Sequence, residues 1–447
     1  MIKKVLIANR GEIAVRIIRA CHQLGIQTVA VYSTVDKEAL HVQLADQAVC
    51  IGEAAATKSY LVKEQILSAA VATGADAIHP GFGFLSENSQ FAKMCQECGI
   101  IFIGPRAETI DSMGDKANAK ATMIRAQVPV VPGSDGVVND ADEALKQAQV
   151  IGYPVLIKAV SGGGGKGMRL AYNDAEFTAG FAAARQEARA AFNDSRVYLE
   201  KFIENPRHIE VQIIADQYGN VVHLGERDCS VQRNNQKLIE EAPSQFIDDN
   251  LRAGLGQAAV NAAKEVGYIN AGTIEFLVDK HKNYYFMEMN TRIQVEHPVT
   301  EMITGIDLVQ AQIRIANGEP LGFTQEDVHF NGHAIECRIN AEAPEQNFMP
   351  SPGLIQGLHF PGGNGVRIDS GVYAGYKILP YYDSMIAKII VQAPTRIEAI
   401  AKMQVALNEL IVDGVQTTAD FQYQLLSHEK FQNNTHDTSF VAKLLEE

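Results

Sequence analysis

The sequence is short of positive charge. Its 447 residues contain 39 Lys and Arg against 53 Asp and Glu, which gives a formal net charge of −14. Neither a nucleic acid nor an anionic membrane surface is expected as a partner of so acidic a chain. An anionic substrate would instead have to meet a local cluster of basic side chains.

Long apolar runs and paired cysteines are also missing. No segment approaches the roughly 20 apolar residues of a membrane span, and the apolar run near the N-terminus is too short for a signal peptide. The single CxxC, Cys95 and Cys98, has no second pair and reads as a helix face rather than a zinc or redox site. We therefore expect a cytoplasmic protein with reduced thiols and no membrane partner.

Length and hydrophobic patterning predict several domains. A chain of 447 residues is too long for one hydrophobic core, so two or three domains are expected. Residues 5–32 read as strand, helix and strand, and residues 75–105 repeat this order, which predicts a parallel sheet. The first turn, at residues 9–12, has one glycine where a dinucleotide fingerprint needs three, so no NAD site is predicted. This first domain is expected to end near Gly114.

A glycine-rich loop at residues 162–167 follows a strand that ends in Lys158. It matches GxGxxG, but a strand rather than a helix is predicted after it, and Lys166 is not followed by the Ser or Thr of a P-loop. Glycines in such a hairpin present backbone N–H groups to phosphate oxygens without steric cost. Phosphate binding is favoured here over a flexible linker.

Residues 273–289 predict two strands joined by a short polar turn. Folding this hairpin would bring Glu275 roughly opposite Glu288, and two carboxylates with an amide nearby suit the hard oxygen preference of Mg²⁺. A solvated sheet edge is the alternative, but a long row of polar residues follows the second strand. If the chain stays extended there, side chains two residues apart share one face, and these are Glu288, Asn290, Arg292, Gln294 and Glu296.

Basic residues for an anionic substrate are found between the glycine loop and this hairpin. Arg227, Arg233 and Lys237 are predicted to lie in a polar loop between apolar strands, either as a substrate site or as a solvated charge run. Residues 198–203 are short and extended, the kind of crossing at which an adenine bonds to backbone. Arg338 is predicted on a later strand.

Several long motifs together carry a resemblance that spans nearly the whole chain: HPGFGFLSEN, SGGGGKGM, ERDCSVQR, MEMNTRIQVEHPVTEMITG, ECRINAE and YYDSMIAK. They resemble the biotin carboxylase family, which includes free-standing subunits of bacterial acetyl-CoA carboxylase. The resemblance implies an α/β (α+β) ATP-grasp fold with an N-terminal parallel-sheet domain, a small lid and a mixed C-terminal domain. The implied boundaries are residues 1–114, 115–203 and 204–447.

The resemblance also implies the reaction and its partners. It implies ATP- and bicarbonate-dependent carboxylation of biotin through carboxyphosphate, with Mg²⁺ or Mn²⁺, as the first half-reaction toward malonyl-CoA and fatty acids. No Met-Lys-Met biotin-attachment sequence is found, so the biotin is expected on a separate carrier protein. Carboxyltransferase subunits and a second copy of the chain, as a homodimer, are the other expected partners.

Site residues carried over from the family fall into four sets. Glu275, Glu288 and Asn290 would hold the metal. Lys237, Arg292, Gln294 and Val295 would hold bicarbonate, with Glu296 as its base. Arg338 would stabilise the biotin oxyanion, and Phe82 would lie near biotin. The implied ATP-binding residues are Lys116, Lys158, Gly164, Gly165, Glu200, Lys201, Ile203, His208, Asn235, Glu275 and Glu288.

Two positions depart from the usual family pattern. Asn235 stands where a charged residue is common, and Phe82 replaces a Tyr and so removes a hydroxyl. Two other functions remain open: another ATP-grasp ligase, which would not need Arg292, Glu296 and Arg338 together, and a non-catalytic nucleotide sensor. The sensor would be expected to lose a metal ligand or the base, and none is lost.

Overall fold

The computed structural model describes residues 1–134, 136–160, 168–192 and 194–446. The chain forms two compact units. The first comprises Met1–Val128, Arg207–Phe276 and Glu288–Glu447, and the second comprises Pro129–Pro206 and Leu277–Met287. The predicted phosphate loop, including Gly164 and Gly165, lies outside the described residues.

A five-stranded parallel sheet begins the first unit, with strand order β3–β2–β1–β4–β5. Its first strand is fully buried at Val5, Leu6 and Ile7, and the apolar face of the following helix packs into the same core through Ile13 and Ile17. The predicted parallel sheet is therefore confirmed. The elements are β1 Lys4–Ile7, α1 Gly11–Gln23, β2 Gln27–Ser33, α2 Leu40–Leu44, β3 Gln47–Gly52, α3 Lys63–Thr73, β4 Ala77–His79, α4 Ser89–Glu97, β5 Ile101–Phe102, α5 Ala107–Gly114 and α6 Lys116–Arg125.

The second unit has its own core beneath a three-stranded antiparallel sheet in the order β7–β6–β8. Lys158, on the central strand, donates a hydrogen bond to Glu200 on β8. The Lys201 ammonium donates to the carbonyls of Gly152 and Tyr153, at 2.8 and 2.6 Å. The elements are α7 Ala141–Ile151, β6 Val155–Ala159, β7 Met168–Ala171, α8 Asp174–Phe192 and β8 Val197–Lys201.

An eight-stranded sheet forms the centre of the first unit, in the order β13–β12–β9–β10–β11–β14–β21–β19. Pairing is antiparallel along β9–β10–β11–β14–β21–β19. The predicted hairpin of residues 273–289 is confirmed as β12 and β13. The elements up to this point in the chain are β9 Arg207–Ala215, β10 Val221–Arg233, β11 Gln236–Ala242, α9 Asp249–Glu265, β12 Asn270–Val278, β13 Tyr284–Asn290, α10 His297–Thr304 and α11 Leu308–Ala316.

The prediction that Arg227, Arg233 and Lys237 lie in a loop is wrong. These residues lie on β10 and β11, which are joined by a tight turn at Asn234 and Asn235, with φ of +50° and +63°. Left-handed φ at both positions suits a two-residue hairpin turn, and Asn tolerates it better than most residues. Arg227 and Lys237 both bond the buried carboxylate of Glu210 on β9, and such a partner on another strand leaves no local sequence signal. Arg233 instead donates to Asn347 Oδ1 at 2.9 Å.

The C-terminal part of the first unit packs helices against β14 and β21. Ile335, Ile389, Met403 and Leu425 belong to its large hydrophobic core. The elements are β14 His333–Asn340, β15 Glu342–Ala343, β16 Met349–Pro350, β17 Gly353–Leu354, β18 Gly357–His359, β19 Val366–Ser370, β20 Lys377–Ile378, β21 Met385–Ala393, α12 Arg396–Glu409, β22 Ile411–Asp413, α13 Ala419–Ser427, α14 Glu429–Gln432 and α15 Phe440–Glu446. No helix in the described part of the chain is both long and apolar enough to cross a membrane.

A buried ion pair joins this C-terminal layer to the sheet. Arg396 at the start of α12 donates to both oxygens of Glu241 on β11, at 2.6 and 3.2 Å, and His333 Nε2 lies 2.9 Å from the same carboxylate. Burial alone would raise the pKa of Glu241, but Arg396 and His333 outweigh burial and lower this pKa. The ionised Glu241 carboxylate therefore stabilises the folded protein.

Replacing Glu241 by Gln is expected to lower the free energy of unfolding by about 3 kcal/mol at pH 7, because a buried guanidinium loses its partner. A lowered folded-state pKa contributes stability above the unfolded value, near about 4.3, and this contribution is lost as the pH falls further. Urea unfolding at pH 7 and pH 4 should show the difference between variant and wild type shrinking at the lower pH. The exposed Glu97→Gln serves as the control. A difference independent of pH would contradict the assignment of an ionised Glu241.

Candidate active site

Charged side chains from β9, β10, β11, β12 and β14 converge in the first unit. At the centre lies the Lys237 ammonium, which donates to Glu210 at 2.7 Å, to Glu275 at 3.1 Å and to Glu296 at 2.5 Å. Burial would lower the pKa of Lys237, but Glu210 and Glu296 outweigh burial and raise it. The ammonium is therefore charged, and it holds three carboxylates around one point.

Arg227 lies behind this cluster and is fully buried. Its guanidinium hydrogen-bonds on every side, which fixes neighbouring strands in register around the lysine. The acceptors are Glu210 at 2.5 Å, Gln212 at 2.7 Å, Thr300 at 2.9 Å, and Thr273 and Gln294 at 3.1 Å. A guanidinium with satisfied donors in all directions is a rigid support rather than a group free to bind substrate.

Glu275 on β12 is the most heavily bonded carboxylate of the cluster. Its Oε1 accepts hydrogen bonds from Asn290 and Gln294, each at 2.8 Å, in addition to the bond from Lys237. His208 Nε2 lies 3.0 Å from Oε2. Burial would raise the pKa of Glu275, but Lys237 and His208 outweigh burial and lower it. Oε2, with a single neighbour among these groups, is the oxygen better placed to bind a cation.

Glu288 on β13 differs from Glu275 because part of its side chain is exposed. Partial burial and the negative charge of Glu275 raise the pKa of Glu288, while Lys116 acts in the opposite direction. Two carboxylates that repel each other, beside the amide of Asn290, form an oxygen donor set suited to Mg²⁺. The residues therefore fit the metal that their types and spacing predicted, and Lys116, the first residue of α6, lies within electrostatic range of them.

The prediction that the chain stays extended after Asn290 is wrong. The strand β13 ends at Asn290 and helix α10 begins at His297, with Glu296 as the helix N-cap residue at φ −81° and ψ 10°. The segment between them turns, and His297 Nδ1 lies 2.9 Å from the carbonyl oxygen of Gln294. Gln294 and Glu296 still point at the lysine cluster, because the turn rather than strand alternation directs them there.

Arg292, in the same segment, is held by a residue distant in sequence. Its Nε donates to Glu87 at 2.9 Å and a terminal nitrogen donates to Asn290 Oδ1 at 2.8 Å. The Thr291 N–H also donates to Glu87, at 3.1 Å. The carboxylate of Glu87 therefore orients the guanidinium that is predicted to bind bicarbonate.

Arg338 on β14 connects Glu296 to a second buried carboxylate. It donates to Glu296 at 2.9 Å and, through Nε, to Glu240 at 2.6 Å. Burial and the charge of Glu296 raise the pKa of Glu240 to about 7, although Arg338 lowers it. For Glu296, burial is outweighed by Lys237 and Arg338, which lower its pKa well below the usual value. Glu296 is thus an ionised carboxylate between two cations.

Comparisons with known protein families and with individual relatives show which family the chain belongs to. Residues 1–110 match the family described as "Biotin carboxylase, N-terminal domain", residues 115–324 match "Carbamoyl-phosphate synthase L chain, ATP binding domain", and residues 336–443 match "Biotin carboxylase C-terminal domain". Biotin carboxylase 1 of Bacillus subtilis is 58% identical over 442 residues, which cover 99% of this chain and 98% of the relative. The chain belongs to the biotin carboxylase family.

Solved structures of biotin carboxylases share the fold described above. The biotin carboxylase domain dimer of 2-oxoglutarate carboxylase from Hydrogenobacter thermophilus, in complex with MgADP, ADP and bicarbonate, is 52% identical, with a TM-score of 0.90 over 100% of this chain and 98% of that one. Biotin carboxylase from Campylobacter jejuni, in a β,γ-ATP complex, is 50% identical, with a TM-score of 0.92 over 99% of each chain. The predicted ATP-grasp fold is confirmed.

Other predicted site residues are not among the hydrogen-bond partners described for the lysine cluster. Asn235 is exposed at the tip of the β10–β11 turn, where its left-handed φ gives it a backbone role. Phe82 is half-buried against the core of the N-terminal layer, and its carbonyl accepts a hydrogen bond from Asn9 at 2.7 Å. Lys158, Glu200, Lys201 and Ile203 belong to the second unit. The ATP and biotin roles of these residues stay predictions.

Three residues of this biotin carboxylase site were given no role from the sequence: Glu87, Glu210 and Glu240. Arg227 was predicted either as a substrate-site residue or as a solvated charge, and the structure places it as a buried support. Glu210 alternates with His208 on a strand, and a buried charged residue in that pattern was the available signal. Glu87 lies in one of the long family motifs, but its partner Arg292 is 205 positions away. Glu240 stands next to Glu241 on an apolar strand, where two acids indicate buried cationic partners.

Replacing Glu87 by Ala is expected to raise the KM for bicarbonate about threefold to fivefold with a small change in kcat. The physical reason is that Arg292 loses an orienting partner that is itself partly exposed, and exposed ion pairs contribute about 1 kcal/mol or less. Steady-state ATP hydrolysis at varied bicarbonate measures the change, with Glu97→Ala as the matched exposed control. A KM equal to that of the control would mean that Glu87 does not orient Arg292.

Proposed function

We propose that this chain catalyses the carboxylation of biotin by ATP and bicarbonate, through carboxyphosphate, with Glu296 as the base. The observation that carries this proposal is the Glu296 carboxylate placed between Lys237 and Arg338, where Lys237 also bonds Glu275. One carboxylate thus touches both the cation expected to hold bicarbonate and the cation expected to hold biotin. This arrangement suits a reaction in which a carboxyl group derived from bicarbonate is transferred to biotin.

In the first step, bicarbonate lies against Lys237 and Arg292, with Gln294 and Val295 of the turning segment completing its site. Glu296 accepts the bicarbonate proton, and the oxygen so freed attacks the γ-phosphorus of ATP. The bond from that phosphorus to the leaving oxygen of ADP breaks, which gives carboxyphosphate and ADP. Placing a weak nucleophile in line with the phosphorus is the main contribution of these residues, since positioning and charge dominate phosphoryl transfer.

The incoming bicarbonate must share cations that already have carboxylate partners. Lys237 contacts three carboxylates, so binding a further anion there weakens its bond to Glu296. When its bond to Lys237 weakens, Glu296 becomes more basic, because Lys237 contributes more than Arg338 to lowering the pKa of Glu296. Bicarbonate binding itself therefore prepares the base that deprotonates it.

In the second step, the bond between the carboxyl carbon and the bridging oxygen of carboxyphosphate breaks, which gives CO₂ and phosphate. The phosphate takes the proton of the biotin ring nitrogen, and that nitrogen forms a bond to CO₂. Arg338 stabilises the negative charge that develops on the ureido oxygen, since a fixed guanidinium in a largely buried site interacts strongly with an oxyanion. Glu240 accepts a hydrogen bond from Arg338 Nε and so helps to hold the guanidinium in place. Phe82 is proposed to lie near biotin.

ATP binding is proposed for the residues that the family resemblance implies. Lys116, Lys158, His208, Gly164, Gly165 and Asn235 would contact phosphates or ribose, and Glu200, Lys201 and Ile203 would contact the adenine. Glu275, Glu288 and Asn290 would hold Mg²⁺ or Mn²⁺, which neutralises phosphate charge when bound. The functional domains are proposed at residues 1–114, 115–203 and 204–447.

Partners and cellular role follow from the same family. We propose a cytoplasmic homodimer that acts on a separate biotin carboxyl carrier protein and passes carboxybiotin to carboxyltransferase subunits. Acetyl-CoA carboxylase, and so malonyl-CoA and fatty acid synthesis, is the proposed setting. The final acceptor is chosen by the carboxyltransferase rather than by this chain.

The test is ATP hydrolysis by the purified chain with and without bicarbonate and free biotin. We expect bicarbonate to be required for ADP formation and biotin to increase its rate, with carboxybiotin as a product. Hydrolysis without either compound would favour a different ATP-grasp ligase. Nucleotide binding without any turnover would favour the non-catalytic sensor.

A further inference from the structure

Lys388 on β21 is a fully buried lysine that the reaction above does not use. Its Nζ donates a hydrogen bond to the backbone carbonyl of Val295 at 2.7 Å. The same nitrogen lies 3.0 Å from Glu12 Oε1 on helix α1 and 3.9 Å from Asp369 on β19. A buried ammonium costs several kcal/mol to desolvate, so its position calls for a reason beyond filling space.

The bonded carbonyl belongs to the catalytic segment. Val295 lies between Gln294, which bonds Glu275, and Glu296, which bonds Lys237 and Arg338. This segment has neither the hydrogen-bond ladder of a strand nor that of a helix, since β13 ends at Asn290 and α10 begins at His297. The geometry of this segment therefore depends on individual contacts. Lys388 bonds the Val295 carbonyl, which stands in the sequence between Gln294 and Glu296.

We propose that Lys388 is a positioning residue for the bicarbonate site. It holds the Val295 carbonyl so that Gln294 and Glu296 meet the lysine cluster in a reactive arrangement. This inference rests on the proposed function, because it assigns Lys388 to the segment that binds and deprotonates bicarbonate. Nearby carboxylates favour the charged form of this donor: burial would lower the pKa of Lys388, but Glu12 and Glu336 outweigh burial and raise it.

A simpler role for Lys388 is to neutralise Glu12, which is also buried. The two roles separate in a pair of variants. Glu12→Gln removes the buried acid and leaves Lys388 bonded to Val295. Glu12→Gln/Lys388→Met removes both charges, so no buried carboxylate of that pair is left uncompensated, and it also removes the donor to Val295.

The measurement is steady-state ATP hydrolysis at varied bicarbonate and at varied ATP, with circular dichroism and thermal unfolding of each variant. We expect Glu12→Gln to keep the KM for bicarbonate within about twofold of wild type. The double variant should raise that KM about tenfold and lower kcat, with the KM for ATP within about twofold, since a loss of roughly 1.4 kcal/mol is tenfold. A change confined to bicarbonate would not follow from a general loosening of the fold.

Equal bicarbonate KM values in the single and double variants would overturn the positioning role and leave Lys388 as a partner of Glu12. Glu12→Gln/Lys388→Gln serves the same comparison if the Met variant does not fold, because the Gln amide nitrogen lies one bond closer to the backbone than the Lys ammonium and does not reach the carbonyl. Wild-type turnover that is independent of bicarbonate would instead contradict the proposed function. The two failures are therefore distinguishable in one set of assays.

Discussion

Replacing Glu288 by Gln is expected to reduce ATP turnover by at least about a hundredfold while the fold is kept. Glu288 is partly exposed on β13, so its amide can be accommodated without a buried unpaired charge. The loss arises because one of two metal-binding carboxylates becomes neutral, and metal stabilisation of phosphate charge contributes several kcal/mol. Each 1.4 kcal/mol is about tenfold in rate, so a loss of about 3 kcal/mol is about a hundredfold.

ADP formation at saturating bicarbonate, titrated with Mg²⁺, measures this effect. Glu326→Gln, at an exposed site of the same unit, controls for a general effect of removing a carboxylate. The wild type should also bind Mg²⁺ more weakly as the pH falls through the raised pKa of Glu288, since a protonated carboxyl is a poor ligand. Unchanged turnover of Glu288→Gln at saturating Mg²⁺ would contradict the metal assignment.

Replacing Arg338 by Ala is expected to separate the two half-steps of the reaction. Carboxybiotin formation should fall about a hundredfold, because a lost contact between a fixed charge and an oxyanion costs about 3 kcal/mol. Bicarbonate-dependent ATP hydrolysis without biotin should be largely kept, because Lys237 and Arg292 remain in place. Glu240, which Arg338 now contacts, has a pKa of about 7 and can take up a proton when its partner is removed.

Glu296→Gln provides the contrast, since it nearly keeps the volume of the side chain but removes the base and one of the two oxygens that accept from Lys237 and Arg338. Both carboxybiotin formation and bicarbonate-dependent ATP hydrolysis should fall, because no carboxyphosphate forms without deprotonation. Phosphate release and carboxybiotin are to be measured side by side on both variants. An equal loss of both activities in a folded Arg338→Ala would mean that Arg338 serves ATP or bicarbonate instead of biotin.

The elements that the sequence predicted well are those with local signals. Strand alternation on both sides of a short polar turn was sufficient to place Glu275, Glu288 and Asn290 together, and the first βαβ unit followed from its apolar period. The charged strands were harder to predict. Lys237 was placed in a loop because a row of polar residues ordinarily means solvent, whereas here its ammonium bonds three buried carboxylates, Glu210, Glu275 and Glu296.

The support of the site depends on contacts that are remote along the chain. Lys388 reaches Val295 across 93 positions and Glu12 across a still greater separation, so neither spacing nor periodicity indicates them. The turn after Asn290 was mistaken for extended chain, since it has no glycine between Asn290 and Glu296 to signal it. Resemblance supplied the identity of the bicarbonate residues, and tertiary structure supplied the reason that they converge.

Bicarbonate, rather than water, is proposed to attack the γ-phosphorus of ATP. This attack is tested most directly by supplying bicarbonate labelled with ¹⁸O in ordinary water and measuring the mass of the phosphate released in the presence of biotin. The reaction must be short compared with exchange of bicarbonate oxygen into water, so the labelled bicarbonate is sampled at the same times. Each phosphate is expected to carry one oxygen from bicarbonate, because the oxygen that attacks stays on phosphorus when carboxyphosphate breaks down. Phosphate without label, formed while the bicarbonate remains labelled, would contradict attack by bicarbonate.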